Sequence, residues 1–380
     1  MIGSIWGTRD ALPPPAPLPD GAEVVIVGGG ITGVALLRAL CERGVDAILL
    51  ERDHLAAGAS GRNAGFLLAG VAENYARAVA RYGRGVAAEV WRFTLENHRL
   101  VAAAAAPCDS AHQVRGSLTV ALDAAEAASI EEAATLLAED GLPGRMTAVD
   151  HPLGALCTLL NPADGEIDPL RLVRGLALAN ADRVHEHQNV VSVEEGANSV
   201  SVGLEGGELE ASAVVLATNA WTAELLPAVP IRPVRAQMLA TAPTAPCIAR
   251  PVYAEWGHRY WRQRDDGRVL VGGFRNRALR AEVGYDVTPT ATVQSHLDHQ
   301  VAELVGGATV THRWAGTMGF SEDGLPLVGL APGCHRIHVC AGYTGHGMGF
   351  ALRSATALVG RMVDSEPLPA WLDAARAAPR

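Results

Sequence analysis

At 380 residues the chain is long enough for two domains, or for one large α/β unit with an insertion, on a prior of about 150 residues per domain. Hydrophobic residues make up 49% and charged residues 19%, a balance that supports a large core and argues against long disorder. The net charge of −10 argues against non-specific nucleic-acid binding, and the absence of lysine (all 31 basic residues are arginine) excludes a Schiff-base lysine and the phosphate-gripping lysine of a P-loop.

Residues 1–22 form a proline-rich leader expected to lie over the first domain; they lack the basic and apolar regions of a signal peptide. Val24-Val25-Ile26-Val27 is a short apolar run, the mark of a strand buried on both faces. A glycine turn, a helix from about Thr32 to Arg43 and a second buried strand, Ala47 to Leu50, complete a βαβ unit. Val71 to Ala106 is helical in pattern, with Tyr75, Val79, Tyr82, Val86 and Val90 as core packing. A further helix is expected over Ala124 to Glu139, stopped by Gly141 and Pro143. Strands return at Val190 to Val193, Ser199 to Leu204 and Ala213 to Ala217. Pro230 to Phe274 alternates apolar runs with arginines and turn signals, as an antiparallel sheet does. A strand from Ile337 to Cys340, a glycine-rich loop and a helix to about Val363 close the pattern.

The fold class is therefore α/β, with a Rossmann-like dinucleotide-binding domain and an α+β, antiparallel-sheet substrate domain, discontinuous in sequence. The binding domain is expected over 23–75, 150–225 and 323–368, the substrate domain over 76–149 and 226–322, and a tail over 369–380. The six cysteines form no zinc-like spacing and suit a reducing cytoplasm. No apolar run reaches the ~18 residues of a membrane span.

Gly28-Gly29-Gly30-Ile31-Thr32-Gly33 satisfies GxGxxG between a strand and a helix. Gly28 makes the tight turn, Gly30 admits a pyrophosphate, and Gly33 lets helix and strand pack; the helix N-terminus offers N–H groups to phosphates. Glu51 ends the second strand with Arg52 beside it, about 20 residues on, where a carboxylate takes ribose hydroxyls. This unit leaves NAD and FAD both open.

Three later segments narrow the choice: Gly58-Ala59-Ser60-Gly61-Arg62-Asn63-Ala64-Gly65, Ala217-Thr218-Asn219-Ala220-Trp221 after a buried strand, and Ala341-Gly342-Tyr343-Thr344-Gly345-His346-Gly347-Met348-Gly349-Phe350 leading into a helix. With GEIDP at Gly165 to Pro169, DGRVLVGG at Asp266 to Gly273 and EDGLPLVG at Glu322 to Gly329, these resemble the FAD-dependent oxidoreductases of the D-amino-acid oxidase family. The branch is that of glycine, sarcosine and gamma-glutamylputrescine oxidases, and the resemblance runs from about Glu23 to Val363.

The resemblance implies non-covalent FAD. Gly28, Gly30, Ile31, Thr32 and Gly33 would hold the pyrophosphate, Glu51 and Arg52 the adenosine side, Val190 the adenine, and Ser60, Gly61, Arg62, Asn63 and Ala64 the pyrophosphate and flavin ring. Ala217 and Thr218 would join them, and Gly345, His346, Gly347, Met348 and Gly349 would face the flavin N1/O2 edge. It implies hydride transfer from an amine carbon to flavin N5, an imine that hydrolyses, and O2 or another acceptor. Met318 stands where glycine and D-amino-acid oxidases carry a carboxylate-binding arginine. Gly349 replaces a basic residue of sarcosine oxidase, Leu270 lies near its oxygen-activating lysine, and Gly316 near its flavin-linking cysteine.

Tyr260 is expected as a pocket wall, and Tyr260, His346 and Arg262 are the candidates for catalysis. His258 and His312 look like surface or satisfied histidines. Ten arginines between Pro230 and Arg280 face only Glu255, Asp265 and Asp266; most suit a solvated sheet face, one or two a pocket for an anionic substrate. An oxidase, a dehydrogenase with a quinone or protein acceptor, a flavin monooxygenase and a non-catalytic FAD protein remain the competing functions.

Overall fold

The computed structural model describes residues 3–7, 12–148 and 153–377; the expected boundary at 149–150 lies outside them, as do the ends of the leader and tail. The first strand, Gly21–Val27, pairs in parallel with Ala47–Leu50 on one side and Gly207–Leu216 on the other. Val27 sits opposite both Leu50 and Leu216. Ile337–Ala341 and Val184–His185 extend the sheet in parallel, Leu327–Leu330 closes one edge antiparallel, and Val190–Glu195 and Val200–Leu204 add a meander. Both faces are covered, which is why Val24–Val27 and Ala47–Leu50 contain no polar residue. The parallel register brings the carboxyl ends of these strands, and hence Gly28, Glu51, Ala217 and Gly342, to one edge. That edge is where open α/β sheets bind ligands.

The second sheet runs in the order Val310–Phe320, Arg232–Pro243, Arg268–Gly273, Arg259–Gln263, Val252–Ala254, Ser117–Ala121, Cys157–Asn161, Arg145–Met146. It is antiparallel except where Val252–Ala254 meets Ser117–Ala121. Alternation along its strands sends Trp261, Val269 and Val271 towards the helix Ala291–Val305, where they pack with Val293 and Leu297. Tyr260, Leu270 and Met238 point the other way, into the core shared with the first sheet.

Several expected boundaries move. Cys157–Asn161, expected in the binding domain, is a strand of the second sheet. The helical stretch after Val71 is two helices, Tyr75–Tyr82 and Arg84–Ala105, broken at Gly83 with φ +82°. The longer one, expected in the substrate domain, packs on the final helix, Gly347–Val363. Trp371 and Leu372 of the expected tail are buried, and Val328 N donates to Leu372 O at 3.0 Å, so this segment closes the sheet edge. In the leader, Trp6 is buried and its Nε1 donates to Asn63 O at 2.9 Å, while Gly3 N donates to Arg313 O of the second sheet.

Candidate active site

A cavity of 790 Å³ lies between the carboxyl edge of the parallel sheet and the inward face of the second sheet. Gly28, at φ +109°, turns the chain from the first strand; a Cβ there would lie 2.8 Å from Ala217 O. Gly33 does not line the cavity: a Cβ on it would lie 1.9 Å from Gly28 O, the close helix–strand approach expected of the third glycine. Glu51 braces the turn, its Oε2 accepting from Gly29 N at 2.6 Å and its Oε1 from Asp53 N at 2.9 Å. Burial pushes the Glu51 carboxyl up from its ordinary pKa, and these two N–H groups pull it back. Arg52 stacks on the Trp221 ring at 4.3 Å, and Val190, Ala217 and Thr218 complete this end.

Ser60 Oγ accepts from Ile31 N at 3.0 Å, so the loop from Gly58 to Gly65 closes over the first helix. Arg62 Nε donates to Ala57 O and its Nη1 to Ala315 O at 3.0 Å, tying the loop to the second sheet. Asn63 Nδ2 donates to Ser60 O at 2.9 Å and Asn63 Oδ1 accepts from Gly65 N at 2.7 Å. Arg62 and Asn63 therefore shape the loop, while Gly61 packs on Ala56 O outside the cavity lining.

The helix Gly347–Val363 also opens on the cavity, so two helix N-termini, with the positive ends of their dipoles, face the same space. A buried hydrogen bond from Thr32 Oγ1 to Tyr343 OH, 3.0 Å, links the two helix-start segments. His346 precedes the second helix, and both its ring nitrogens are buried without a hydrogen-bond partner among the described residues. Burial holds its pKa down at about 4, so the ring is neutral. The carboxylate after the second strand, the glycine turn, the paired helix starts and the orphaned imidazole fit an FAD, with nothing in the lining to exclude it.

The far wall is formed by Tyr253, His258, Tyr260, Arg275, Met318 and Phe320. Tyr260 lines the cavity as expected. Arg262 does not: two positions along the same strand face, it pairs with buried Glu166 at 3.3 Å and donates to Gly65 O at 2.8 Å. Its candidacy for catalysis is corrected to a support for the Gly58–Gly65 loop. His258, expected to be a surface or satisfied histidine, is half-buried in the lining; His312 pairs with Thr311 and lies outside it. Tyr253 and Arg275 were not singled out from the sequence. Tyr253 carried one available signal, its alternation with Val252 and Ala254 on a short strand.

Met318 lines the cavity, its sulfur 3.3 Å from where a Gly345 Cβ would stand. A Cβ on Gly349 would meet Leu68 O at 2.7 Å, and one on Gly316 would meet Arg62 Cβ at 2.9 Å, so larger residues at either place need their neighbours to move. Leu270 is buried in its strand, off the lining.

The family model of the FAD dependent oxidoreductases (DAO) matches residues 23–361. Glycine oxidase of Pseudomonas putida is 32% identical over 201 residues, covering 51% of this chain and 53% of the relative. The chain thus spans about half the length of the first curated relatives it matches. Gamma-glutamylputrescine oxidoreductase of Escherichia coli is 26% identical over 369 residues, covering 90% of this chain and 82% of the relative. The crystal structure of glycine oxidase from Geobacillus kaustophilus superposes with a TM-score of 0.79 at 21% identity, covering 95% and 98% of the two chains. The chain belongs to the DAO family of FAD-dependent oxidoreductases.

Proposed function

We propose that the protein oxidises an amine or amino acid at its C–N bond, and that its FAD is held non-covalently. The cavity's two unlike ends carry this reading: loops suited to a dinucleotide at one, and at the other an aromatic wall with a neutral imidazole. Gly28, Gly30, Ile31 and Thr32 would hold the phosphates, Glu51 the ribose, Val190, Ala217 and Thr218 the adenosine side, and Ser60, Arg62, Asn63 and Ala64 with Gly345 to Gly349 the flavin. FAD, when bound, would supply a two-electron acceptor for the hydride of the carbon that bears the amine nitrogen. The substrate must arrive as the free amine, because the nitrogen lone pair becomes the second bond of the imine. Tyr253 and Tyr260 wall the reacting carbon from water, and neutral His346 takes no charge into that pocket. Water then hydrolyses the imine to a carbonyl compound and ammonia or a smaller amine.

Oxygen is the acceptor in this reading, with release of hydrogen peroxide. A dehydrogenase passing electrons to a quinone or carrier protein is the second reading, favoured by the absence of lysine, with buried Leu270 near the place of sarcosine oxidase's oxygen-activating lysine. A cytoplasmic enzyme suits the six free cysteines. Among the described residues no helix is long and apolar enough to cross a membrane.

The test is turnover of the holoenzyme with primary amines, secondary amines and amino acids, measuring carbonyl product and peroxide, with and without a dye acceptor. Carbonyl with equal peroxide supports the oxidase, and carbonyl only with the dye supports the dehydrogenase. No carbonyl from any class overturns amine oxidation.

A further inference from the structure

Among the ten arginines between Pro230 and Arg280, Arg275 is set apart by its partners. Arg232 and Arg280 are exposed. The others are committed, as Arg235 is to Glu282 at 2.9 Å, Arg259 to Glu303 at 3.0 Å and Arg277 to Glu255 at 3.5 Å. Arg275 is half-buried and lines the cavity, and among the described residues no carboxylate or carbonyl oxygen meets its guanidinium. Its contact is the face of Phe320, 5.0 Å from the ring centroid, which steadies the cation without neutralising it. Glu282, whose charge reaches Arg275, already accepts from Arg235 and Gln237.

The backbone that delivers this arginine is strained. Phe274, a bulky residue, adopts the left-handed conformation at φ 57°, ψ 16°, held by its N–H donating to His258 O at 2.6 Å. Its ring packs on His296 and under Arg259. The kink turns the chain out of the strand Arg268–Gly273 and sets Arg275 on the cavity wall. A desolvated cation without a counter-charge is costly, and burial does lower the pKa of Arg275. The other titratable groups of that wall, Tyr253, Tyr260 and His258, supply no negative charge at neutral pH: burial raises the pKa of both tyrosines and lowers that of the histidine. A ligand carboxylate is the missing partner, and the planar fork of arginine suits it.

We propose that Arg275 anchors a carboxylate of the amine substrate. The inference rests on the amine-oxidising reading and names its substrate class: an amine that also carries a carboxylate. Met318 and Phe320 give that wall an apolar stretch, against which the uncharged amine and carbon chain lie.

The experiment titrates the holoenzyme with matched acid and amide pairs, propanoate with propanamide and phenylacetate with phenylacetamide, following perturbation of the flavin band. The acids are expected to bind at least tenfold more tightly than their amides. Arg275→Met abolishes that preference, and Arg275→Lys retains part of it, while FAD content and melting temperature stay at wild-type values in both. Equal binding of acid and amide, or an intact preference in Arg275→Met, overturns the anchor. If Arg275→Met loses FAD or melts early, Arg275→Lys decides by the size of its acid preference: a preference equal to that of the amides overturns the anchor. If amines reduce the protein without any acid preference, only the anchor fails. If acids bind through Arg275 but no amine is oxidised, the anchor stands and the amine-oxidising reading fails.

Discussion

Asn97, fully buried in the middle of the helix Arg84–Ala105, is joined to Met348 in the first turn of the last helix. Its Nδ2 donates to Met348 O at 2.9 Å, and its Oδ1 accepts from Leu352 N at 3.0 Å and Arg353 N at 3.1 Å. One side chain thus serves both senses of the backbone ladder beside the turn that faces the cavity. Asn97→Leu leaves a buried carbonyl without its side-chain donor and two amides without their acceptor, and costs roughly 2–4 kcal/mol. Denaturant unfolding of the apoprotein checks this, and a change below about 1 kcal/mol contradicts it.

Arg262 and Glu166 form a buried pair under the Gly58–Gly65 loop, with Arg115 a second cation 3.6 Å from Glu166. Removing one partner of such a pair costs about 3–5 kcal/mol, and Arg115 offsets part of that here. Arg262→Met is expected to lower the melting temperature and FAD affinity together, leaving the acid-over-amide preference unchanged. Loss of that preference with normal FAD binding would return Arg262 to the substrate site.

Asp164 is fully buried, accepting from Ser117 Oγ at 2.6 Å and Ala69 N at 2.9 Å. Burial outweighs both bonds and pushes its pKa from 3.8 up to about 7. A folded pKa above the unfolded one means a stabilisation fully present below pH 3.8 and lost as pH rises through about 7. Asn keeps the shape and both partners without the charge. Relative to wild type, Asp164→Asn is therefore expected to gain stability between about pH 4 and pH 8, by up to roughly 4 kcal/mol. Unfolding at several pH values reads the difference, and a pH-independent gap contradicts the assignment.

Glu51 joins two backbone N–H groups of the nucleotide-facing turns. Glu51→Ala removes both acceptors and the ribose contact proposed for this carboxylate, and is expected to weaken FAD binding by about 2–3 kcal/mol, roughly 30- to 150-fold. Glu51→Gln keeps acceptor oxygens and loses less. Fluorescence titration of the apoprotein with FAD measures both; equal affinities in wild type and Glu51→Ala would remove Glu51 from the site.

The nucleotide-binding half was legible because its signals are local: Val24–Val27, the glycine turn and Ala47–Leu50 lie within one short βαβ unit and agree with one another. Helix Ala124–Glu139 matched its expected bounds because Asp123 caps it, accepting from Glu126 N, and Gly141 follows its end. The strand Cys157–Asn161 was missed because its partner, Ser117–Ala121, lies across an intervening helix, and no local pattern encodes that pairing. The arginine cluster was visible, but membership in the cavity depends on strand facing and on Phe274 itself taking a positive φ after Gly273, a conformation its residue type does not announce. Tyr260 and Arg262 share a face, and only the longer reach of Arg262 to Glu166 separates their tasks.

The measurement that tests the central claim most directly is the visible spectrum of the FAD-loaded protein under anaerobic conditions, before and after each class of amine and amino acid. Bleaching of the flavin band by an amine carrying a carboxylate, recovered when air or a dye acceptor is admitted, is the result expected. A yellow protein that no amine bleaches, or a protein that takes up no FAD, would contradict it.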